Sequence, residues 1–202
     1  MKVEYHNGTG LLAVIGDPIA HSLSPLLQNT MIEALGRDDL YLAIHVPAEG
    51  LEDFLAAART IGIQGFNLTM PHKVSILPHL SGQTREARRC GSVNTVRVQN
   101  GSLEGHSTDG IGFRRAIQDL GCGFPGQNVT ILGAGGAARS IAMTAVDSGA
   151  RSVRIVNRTV EKAQALCRGE AVMSAYGFDQ VEQILRDTDL LINTTPVGME
   201  GV

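Results

Sequence analysis

The sequence predicts an α/β protein made of two open α/β domains, the second of Rossmann type. Short apolar runs typical of strands alternate with helical patterns along the 202 residues. A glycine-rich turn at 133–138 follows an apolar run and precedes a helical pattern, the context that a dinucleotide-binding turn requires. The length suits two domains of roughly 100 residues each. We place the domains at 1–109 and 110–202.

Strands and helices alternate in the first half. Apolar runs predict strands at 11–15, 40–46, 65–68, 93–98 and 102–105, and helical periodicity predicts helices at 25–35, 51–61, 74–80 and 111–120. Asn100-Gly101, between the last two strands, is a strong signal for a two-residue hairpin turn. The alternation of strand and helix predicts that the sheets are parallel.

The second half contains a mononucleotide-binding unit. It has a strand at 129–132, a helix at 137–148, a second strand at 153–156 and a third strand at 189–193. A doubly wound fold normally contains two such halves. We therefore expect the Rossmann domain to be incomplete at its C-terminus.

The turn after the first of these strands carries the chemistry of phosphate binding. Gly133 allows a tight turn, Gly135 lets the backbone approach a pyrophosphate, and Ala138 is small enough for the helix to pack on the strand. Phosphates would lie at the helix N-terminus, where N–H groups have no partner within the helix. Ala134, Gly136 and Ala137 complete the predicted binding turn.

The end of the second strand predicts which dinucleotide is bound. An acidic residue there would accept the 2′-hydroxyl of NAD, whereas Arg accommodates the 2′-phosphate of NADP. Arg158 occupies this position, between Asn157 and Thr159, and Lys162 could add a second positive charge. We expect the cofactor to be NADP.

Composition excludes several function classes. A net charge of −3 with no basic stripe argues against a nucleic-acid partner. The longest weakly polar stretch, 129–146, contains Arg139 and the glycine turn, so we expect no membrane span. Three widely spaced cysteines and scattered histidines indicate neither a disulfide framework nor a metal site. The N-terminus has no apolar signal segment, so we expect a cytoplasmic protein.

Polar side chains cluster near the predicted strand ends of the first half, where open α/β sheets bind ligands. Ser24 precedes a proline and suits a helix N-cap, whereas Ser22 has no such structural duty. The other polar residues at these ends are Asn67, Thr69, Lys73, Asn94 and Asp109.

Lys73 and Asp109 suit the acid/base chemistry that accompanies hydride transfer. Reduction of a ketone leaves an alkoxide that needs a proton from a group within hydrogen-bond reach. The carboxylate of Asp109 would orient the Lys73 ammonium and tune its pKa, while the ammonium polarises the carbonyl. We predict that they form the catalytic pair.

Seven ordered motifs, from about residue 11 to the end of the chain, resemble the motif series of the shikimate dehydrogenase family. They are HSLSP, NLTMPHK, GSVNT, STDG, GAGGAAR, NRT and NTTPVGM. The resemblance implies reversible, NADP-dependent reduction of 3-dehydroshikimate to shikimate in the chorismate and aromatic amino-acid pathway. It also implies that a further C-terminal segment of the family is lacking here.

The family pattern assigns roles to individual residues. Ser22 and Ser24 would bind the substrate carboxylate, and Thr69, Lys73, Asn94 and Asp109 its hydroxyls, with Lys73 and Asp109 as the catalytic pair. Residues 133–138, 157–159 and Lys162 would hold NADP, with Met199 near the nicotinamide. Ser107 and Ser92 depart from the Asn and Ala usual in the family without removing any of these groups.

Two alternatives remain open at the level of sequence. Gln28-Asn29 replaces the His-Asn usual in the family, a feature of its quinate/shikimate branch, so specificity relaxed toward quinate is one. A catalytically incomplete NADP-binding regulatory protein is the other. We expect the partner to be a small-molecule substrate, shikimate or 3-dehydroshikimate, and the protein to be a monomer or homodimer.

Overall fold

The computed structural model describes residues 6–198, which divide into two compact units. The first contains residues 6–88 and 93–106, and the second contains residues 89–92 and 107–198. Residues 107–109, which we assigned to the first domain, thus lie in the second unit, as does the short 89–92 segment. The domain bounds 1–109 and 110–202 stay a prediction.

The first unit has a six-stranded sheet within the described residues. Its strands are β1 (Gly10–Gly16), β2 (Asp39–His45), β3 (Gly65–Leu68), β4 (Gly82–Gln83), β5 (Thr95–Gln99) and β6 (Ser102–His106). Its helices are α1 (Ser24–Ala34), α2 (Leu51–Ile61), α3 (His72–Ser75) and α4 (Arg85–Cys90), the last of which ends in the 89–92 segment.

The sheet is mixed, which corrects the expectation of a wholly parallel one. Its order is β2-β1-β3-β5-β6-β4. Strands β1, β2 and β3 are parallel, but β5 is antiparallel to both β3 and β6. The two-residue turn at Asn100-Gly101, with φ of 51° and 77°, makes β6 antiparallel to β5. The connection from β3 to β5, which contains α3, β4 and α4, makes β5 antiparallel to β3. The amino end of β5 therefore lies at the carboxyl edge of β3.

The two long helices of this unit differ in how their apolar residues are used. Helix α2 buries Leu51, Phe54, Leu55 and Ala58, whose i, i+3, i+4, i+7 spacing forms one face, and it ends at Gly62 with φ +74°. Helix α1 buries Ile32, whereas its other large apolar side chains are exposed. Those exposed side chains are Leu26, Leu27 and Met31, with Leu23 and Leu35 at the ends of the helix.

The second unit contains a four-stranded parallel sheet in the order β10-β7-β8-β9. Its elements are α5 (Asp109–Asp119), β7 (Asn128–Leu132), α6 (Gly136–Asp147), β8 (Ser152–Val156), α7 (Val160–Cys167), β9 (Met173–Tyr176), α8 (Val181–Leu185) and β10 (Leu190–Asn193). Strands β9, β8 and β7 correspond to strands 3-2-1 of a doubly wound sheet, which form one mononucleotide-binding half, and β10 corresponds to strand 4.

Several short elements were missed or misread in the sequence. The strand near 189–193 is the fourth of its sheet, because β9 precedes it, and α4, β4, α7 and α8 were not predicted either. Each missed element has at most eight residues, about two helical turns or less, too few to show a clear period. The predicted helix at 74–80 is α3 followed by a 3-10 turn at Leu77–His79. The interruption suits Pro78, whose ring cannot continue an α-helix.

Buried strands form the core of the second unit. Val129, Ile131, Val153 and Ile155 are fully buried, as expected for a parallel sheet covered by helices on both faces.

Within residues 6–198, no helix combines the length and the apolar character needed to cross a membrane.

Arg89 ties the 89–92 segment to the rest of the second unit. Its Nη2 lies 2.8 Å from Asp147 Oδ1, and its Nη1 donates to the Glu170 carboxylate. The hydrogen bond from Arg89 holds the pKa of the Glu170 carboxyl below its usual value.

We expect Arg89→Met to make stability less sensitive to acid. A lowered Glu170 pKa adds stability that is present above the unfolded pKa, about 4.3, and is lost as pH falls through the lower folded pKa. Urea unfolding between pH 7 and pH 3 should therefore show a smaller acid-dependent loss in the variant than in the unsubstituted protein. The control is Arg88→Met, because Arg88 donates to the Gln83 carbonyl, which does not titrate. An equal loss of the free energy of unfolding between pH 7 and pH 3 in Arg89→Met and in the unsubstituted protein would contradict this interpretation.

Candidate active site

The turn after β7 needs glycine at its first position for reasons of backbone geometry. Gly133 has φ +106°, and its N–H donates to the Val156 carbonyl at 2.8 Å. A Cβ here would lie 2.6 Å from Thr194 Oγ1. A side chain is therefore excluded both by the conformation and by the neighbouring strand end.

Gly135 has no such internal reason to be glycine. Its backbone is extended, with φ −83° and ψ −169°, and no atom of the described protein lies within 4 Å of where a Cβ would be. It is the N-cap of α6 without a side-chain cap, and the first turn of that helix holds no acidic residue. Open space beside uncapped N–H groups suits an anion such as a phosphate. The turn therefore fits a pyrophosphate.

The other residues of the predicted turn also differ in whether they are needed for packing. Ala138 is fully buried on the sheet side of α6, so its small size serves packing. Ala134, Gly136 and Ala137 are less buried. Within this turn, Gly135 is the exposed residue.

The loop after β8 lies beside the glycine turn, because Leu132 pairs with Val156 in the parallel register. Asn157 shapes the loop: its N–H donates to the Tyr176 carbonyl, and its Nδ2 donates to the Thr159 carbonyl at 2.8 Å. Thr159 is the N-cap of α7. Arg158 and Lys162 are exposed, and neither side chain makes an ion pair or hydrogen bond with any other part of residues 6–198. Two cations thus remain for an external anion.

Thr69, Lys73 and Asn94 meet at one edge of the first sheet. The Thr69 N–H donates to the carbonyl of Ile15 at the end of β1. The Val93 N–H donates to the Lys73 carbonyl at 2.8 Å, which holds the α3 segment against the residue that precedes Asn94. All three predicted residues are half-buried. Antiparallel β5 makes this meeting possible.

The two serines after β1 have roles opposite to those expected. Ser24 is the first residue of α1 and not its N-cap, which is Leu23. Ser22 Oγ accepts the Ser24 N–H at 3.3 Å, so Ser22 has the structural duty. The reason is that the helix starts one residue earlier than the proline suggested. Both serines are half-buried, and their contact with a substrate carboxylate stays a prediction.

Asp109 begins α5 in the second unit, and a buried serine anchors this helix end. The Gly110 N–H donates to Ser140 Oγ at 3.0 Å, and Ser107 Oγ lies 2.9 Å from the same atom. A Cβ on Gly110 would collide with the Ser140 carbonyl and with Thr144 Oγ1. The departure at Ser107 thus has a partner, and Asp109 is positioned by the helix that follows the glycine turn. Because Lys73 belongs to the first unit, its pairing with Asp109 stays a prediction.

Three side chains at the first-unit edge were not among the predicted site residues. Tyr41 and Thr95 are hydrogen-bonded to Asn67, at 2.7 and 3.0 Å, and Asn67 also reaches the Asn94 carbonyl at 3.0 Å. Tyr41 and Thr95 each lie in an apolar strand pattern and carry no signal of function in the sequence. Asn67 was recognised only as a polar residue near a strand end.

A fourth side chain, His72, was also missed. It is fully buried beside Lys73, with Nε2 2.7 Å from the Val46 carbonyl. Met199, predicted near the nicotinamide, lies outside the described residues. No group of three or more potential metal ligands occurs within the part of the chain that the structure describes.

Two family models match the chain, one in each half. The model of the shikimate dehydrogenase substrate binding domain matches residues 14–96, and that of shikimate / quinate 5-dehydrogenase matches residues 115–198. The chain belongs to the shikimate dehydrogenase family.

Relatives and solved structures of this family agree with the assignment. A curated shikimate dehydrogenase (NADP(+)) of Geobacter metallireducens is 43% identical over 202 residues, covering 95% of this chain and 70% of the relative. Shikimate dehydrogenase from Aquifex aeolicus superposes with a TM-score of 0.90 at 34% identity, covering 98% of this chain and 73% of that one. The Thermus thermophilus enzyme, in complex with NADP(H) and shikimate, gives 0.80 at 37% identity, covering 94% and 69%.

The two glycines of the turn should separate stability from binding. Gly133→Ala should lower the free energy of unfolding by about 1–3 kcal/mol, because a positive φ is strained for alanine. Gly135→Val should leave the free energy of unfolding nearly unchanged, because a Cβ there meets no atom of residues 6–198, yet should weaken dinucleotide binding at least about tenfold by filling the space for phosphate. Urea unfolding and fluorescence titration with the dinucleotide measure the two effects. Loss of stability in Gly135→Val with unchanged affinity would contradict the assignment.

Proposed function

We propose that this chain catalyses the NADP-dependent interconversion of shikimate and 3-dehydroshikimate in aromatic amino-acid biosynthesis. The observation that carries the proposal is that Lys73 and Asn94 lie close together. The N–H of Val93, the residue before Asn94, donates to the Lys73 carbonyl, inside the unit that matches the substrate binding domain. The relative from Geobacter metallireducens, named for this activity, supports it. Cys90, Cys122 and Cys167 form no disulfide with one another, which suits the cytoplasmic location that we also propose.

NADP is the cofactor of this proposal, held by the glycine turn, Asn157–Thr159 and Lys162. When bound, NADP supplies the hydride acceptor or donor for the reaction at the alcohol carbon. The N–H groups at the start of α6 would bind the pyrophosphate, and Ala138 keeps that helix against the sheet. Arg158 would take the 2′-phosphate through two parallel hydrogen bonds, which a planar guanidinium suits better than an ammonium does.

Lys73 is the proposed acid in the direction of reduction. Its ammonium donates a hydrogen bond to the ketone oxygen and transfers the proton as that oxygen gains charge. Asp109 is proposed to orient the ammonium. Ser22 and Ser24 would bind the carboxylate, and Thr69 and Asn94 the ring hydroxyls. That the protein is a monomer or a homodimer stays a prediction.

Quinate is a second candidate substrate. Gln28, half-buried on α1, stands where the family usually has His, and the matched model is described as shikimate / quinate 5-dehydrogenase. Quinate carries an additional ring hydroxyl, and discrimination of one hydroxyl depends on whether the site leaves a polar group unpaired.

The deciding assay is NADP reduction with shikimate and with quinate. We expect kcat/KM to be higher for shikimate, and reduction with neither acid would overturn the proposal. Lys73→Ala should lower kcat by about 10²–10⁴ while leaving NADPH affinity nearly unchanged. Arg59→Ala, which removes an exposed cation of the same unit, is the matched control and should keep full activity. Undiminished turnover in Lys73→Ala would remove that residue from the mechanism.

Arg158→Ala should distinguish the two nicotinamide cofactors. Loss of a charge-assisted bidentate contact should weaken NADPH binding by roughly 10- to 100-fold, while NADH binding should change little because NADH has no 2′-phosphate. Lys162→Ala, which keeps the guanidinium, should have a smaller effect on NADPH. Equal losses for NADPH and NADH would contradict the 2′-phosphate assignment.

A further inference from the structure

A chain of hydrogen bonds crosses the first unit from α1 to Asn94. Asn29 on α1 holds the backbone of Tyr41 from both sides, donating to its carbonyl at 2.8 Å and accepting its N–H at 2.9 Å. Tyr41 Oη lies 2.7 Å from Asn67 Oδ1, and Asn67 Nδ2 lies 3.0 Å from Thr95 Oγ1. Thr95 Oγ1 lies 3.1 Å from Asn94 Oδ1.

The directions of the bonds at Asn67 follow from one backbone carbonyl. The carbonyl of Asn94 can only accept, so the Asn67 atom that lies 3.0 Å from it must be Nδ2. Asn67 Oδ1 therefore faces Tyr41, whose hydroxyl must be the donor. The second Asn67 N–H donates to Thr95 Oγ1, and in the structure the Thr95 hydroxyl donates to Asn94 Oδ1.

We propose that Tyr41, Asn67 and Thr95 are positioning residues that fix the side-chain amide of Asn94 with its NH2 group toward the substrate. The inference deepens the proposed function and rests on it. With Oδ1 held by Thr95, Asn94 acts as a hydrogen-bond donor to an oxygen lone pair of the ring hydroxyl or ketone. A hydroxyl bound by Asn94 must then direct its own proton to another acceptor.

The Tyr41 end of this hydrogen-bond network is buried, which keeps the direction of the Tyr41–Asn67 bond constant. The Tyr41 side chain lies in the interior between α1 and the sheet, and burial raises the pKa of its hydroxyl to about 12. The hydroxyl therefore keeps its proton and remains a donor at neutral pH. Asn67 lies midway, with each of its amide atoms engaged. Rotation of Asn67 would set its Oδ1 against the Asn94 carbonyl, so the network has one favourable arrangement.

The test compares Thr95→Val, Thr95→Ser and Tyr41→Phe. Thr95→Val removes the hydroxyl that bonds Asn94 Oδ1, and should raise the KM for shikimate about tenfold with little change in the KM for NADP. Thr95→Ser keeps the hydroxyl and should restore the KM. Tyr41→Phe leaves Asn67 held by two bonds, so its effect on the KM for shikimate should be only about twofold.

Thr130→Val is the matched control. Thr130 is fully buried in β7 of the other unit, and its hydroxyl bonds Thr188 Oγ1 at 2.8 Å. It should lower the melting temperature as Thr95→Val does, without raising the KM for shikimate. A KM for shikimate unchanged in Thr95→Val, with a loss of stability like that of Thr130→Val, would reduce Thr95 to a structural residue and overturn the proposal.

A second readout does not depend on turnover. Side-chain amide resonances of Asn94, assigned by their disappearance in Asn94→Ala, should shift in Thr95→Val, stay close to the unsubstituted positions in Thr95→Ser and be unaffected by Thr130→Val. Resonances that do not move in Thr95→Val would overturn the network. If they move but the unsubstituted protein oxidises no shikimate, the network stands and the proposed function fails.

Discussion

The antiparallel pairing of β3 with β5 is the constraint on which the predicted substrate site, at the carboxyl end of β3, depends. In a wholly parallel sheet, a residue that precedes a strand lies at the opposite edge from a residue that follows one. Because β5 is antiparallel to β3, Asn67 pairs with Thr95. Asn94, which precedes β5, therefore lies at the same end of the sheet as Thr69 and Lys73, which follow β3. The connection from β3 to β5, which contains α3, β4 and α4, brings the chain back antiparallel to β3. The path of this connection thus decides which polar side chains share a site.

In the second unit, one helix serves two purposes. The first turn of α6 offers its N–H groups at the glycine turn, and one turn further on Ser140 accepts the Gly110 N–H beside Asp109. Helices α5 and α6 approach closely at Gly110, where a Cβ would lie 2.4 Å from the Ser140 carbonyl oxygen. A shift of α6 on the sheet would therefore move both the dinucleotide turn and the Asp109 end of α5. Complete burial of Ala138 opposes such a shift.

The sequence predicted the long elements and the residues whose type alone carries chemistry. The spacing of Leu51, Phe54, Leu55 and Ala58 predicted α2 with its bounds, and the glycine turn was found in its strand and helix context. Elements too short to show a period, such as β9 and α8, were missed. The roles of Ser22 and Ser24 were interchanged, because the helix start depends on one hydrogen bond that no composition rule specifies.

The two predicted binding regions differ in how much of their specificity is visible in a sequence. In the dinucleotide region an anion is met by the N–H groups at the start of α6 and by the cations Arg158 and Lys162, so glycine spacing and the charge of Arg158 suffice to predict an anionic ligand. The substrate edge contains amides and hydroxyls, each of which is both donor and acceptor. The orientation of Asn67 is decided by a single carbonyl, that of Asn94, and the Thr95 hydroxyl, which accepts from Asn67, donates to Asn94 Oδ1. Residue types can therefore predict which side chains meet a polyol, but only three-dimensional contacts decide which of their atoms do.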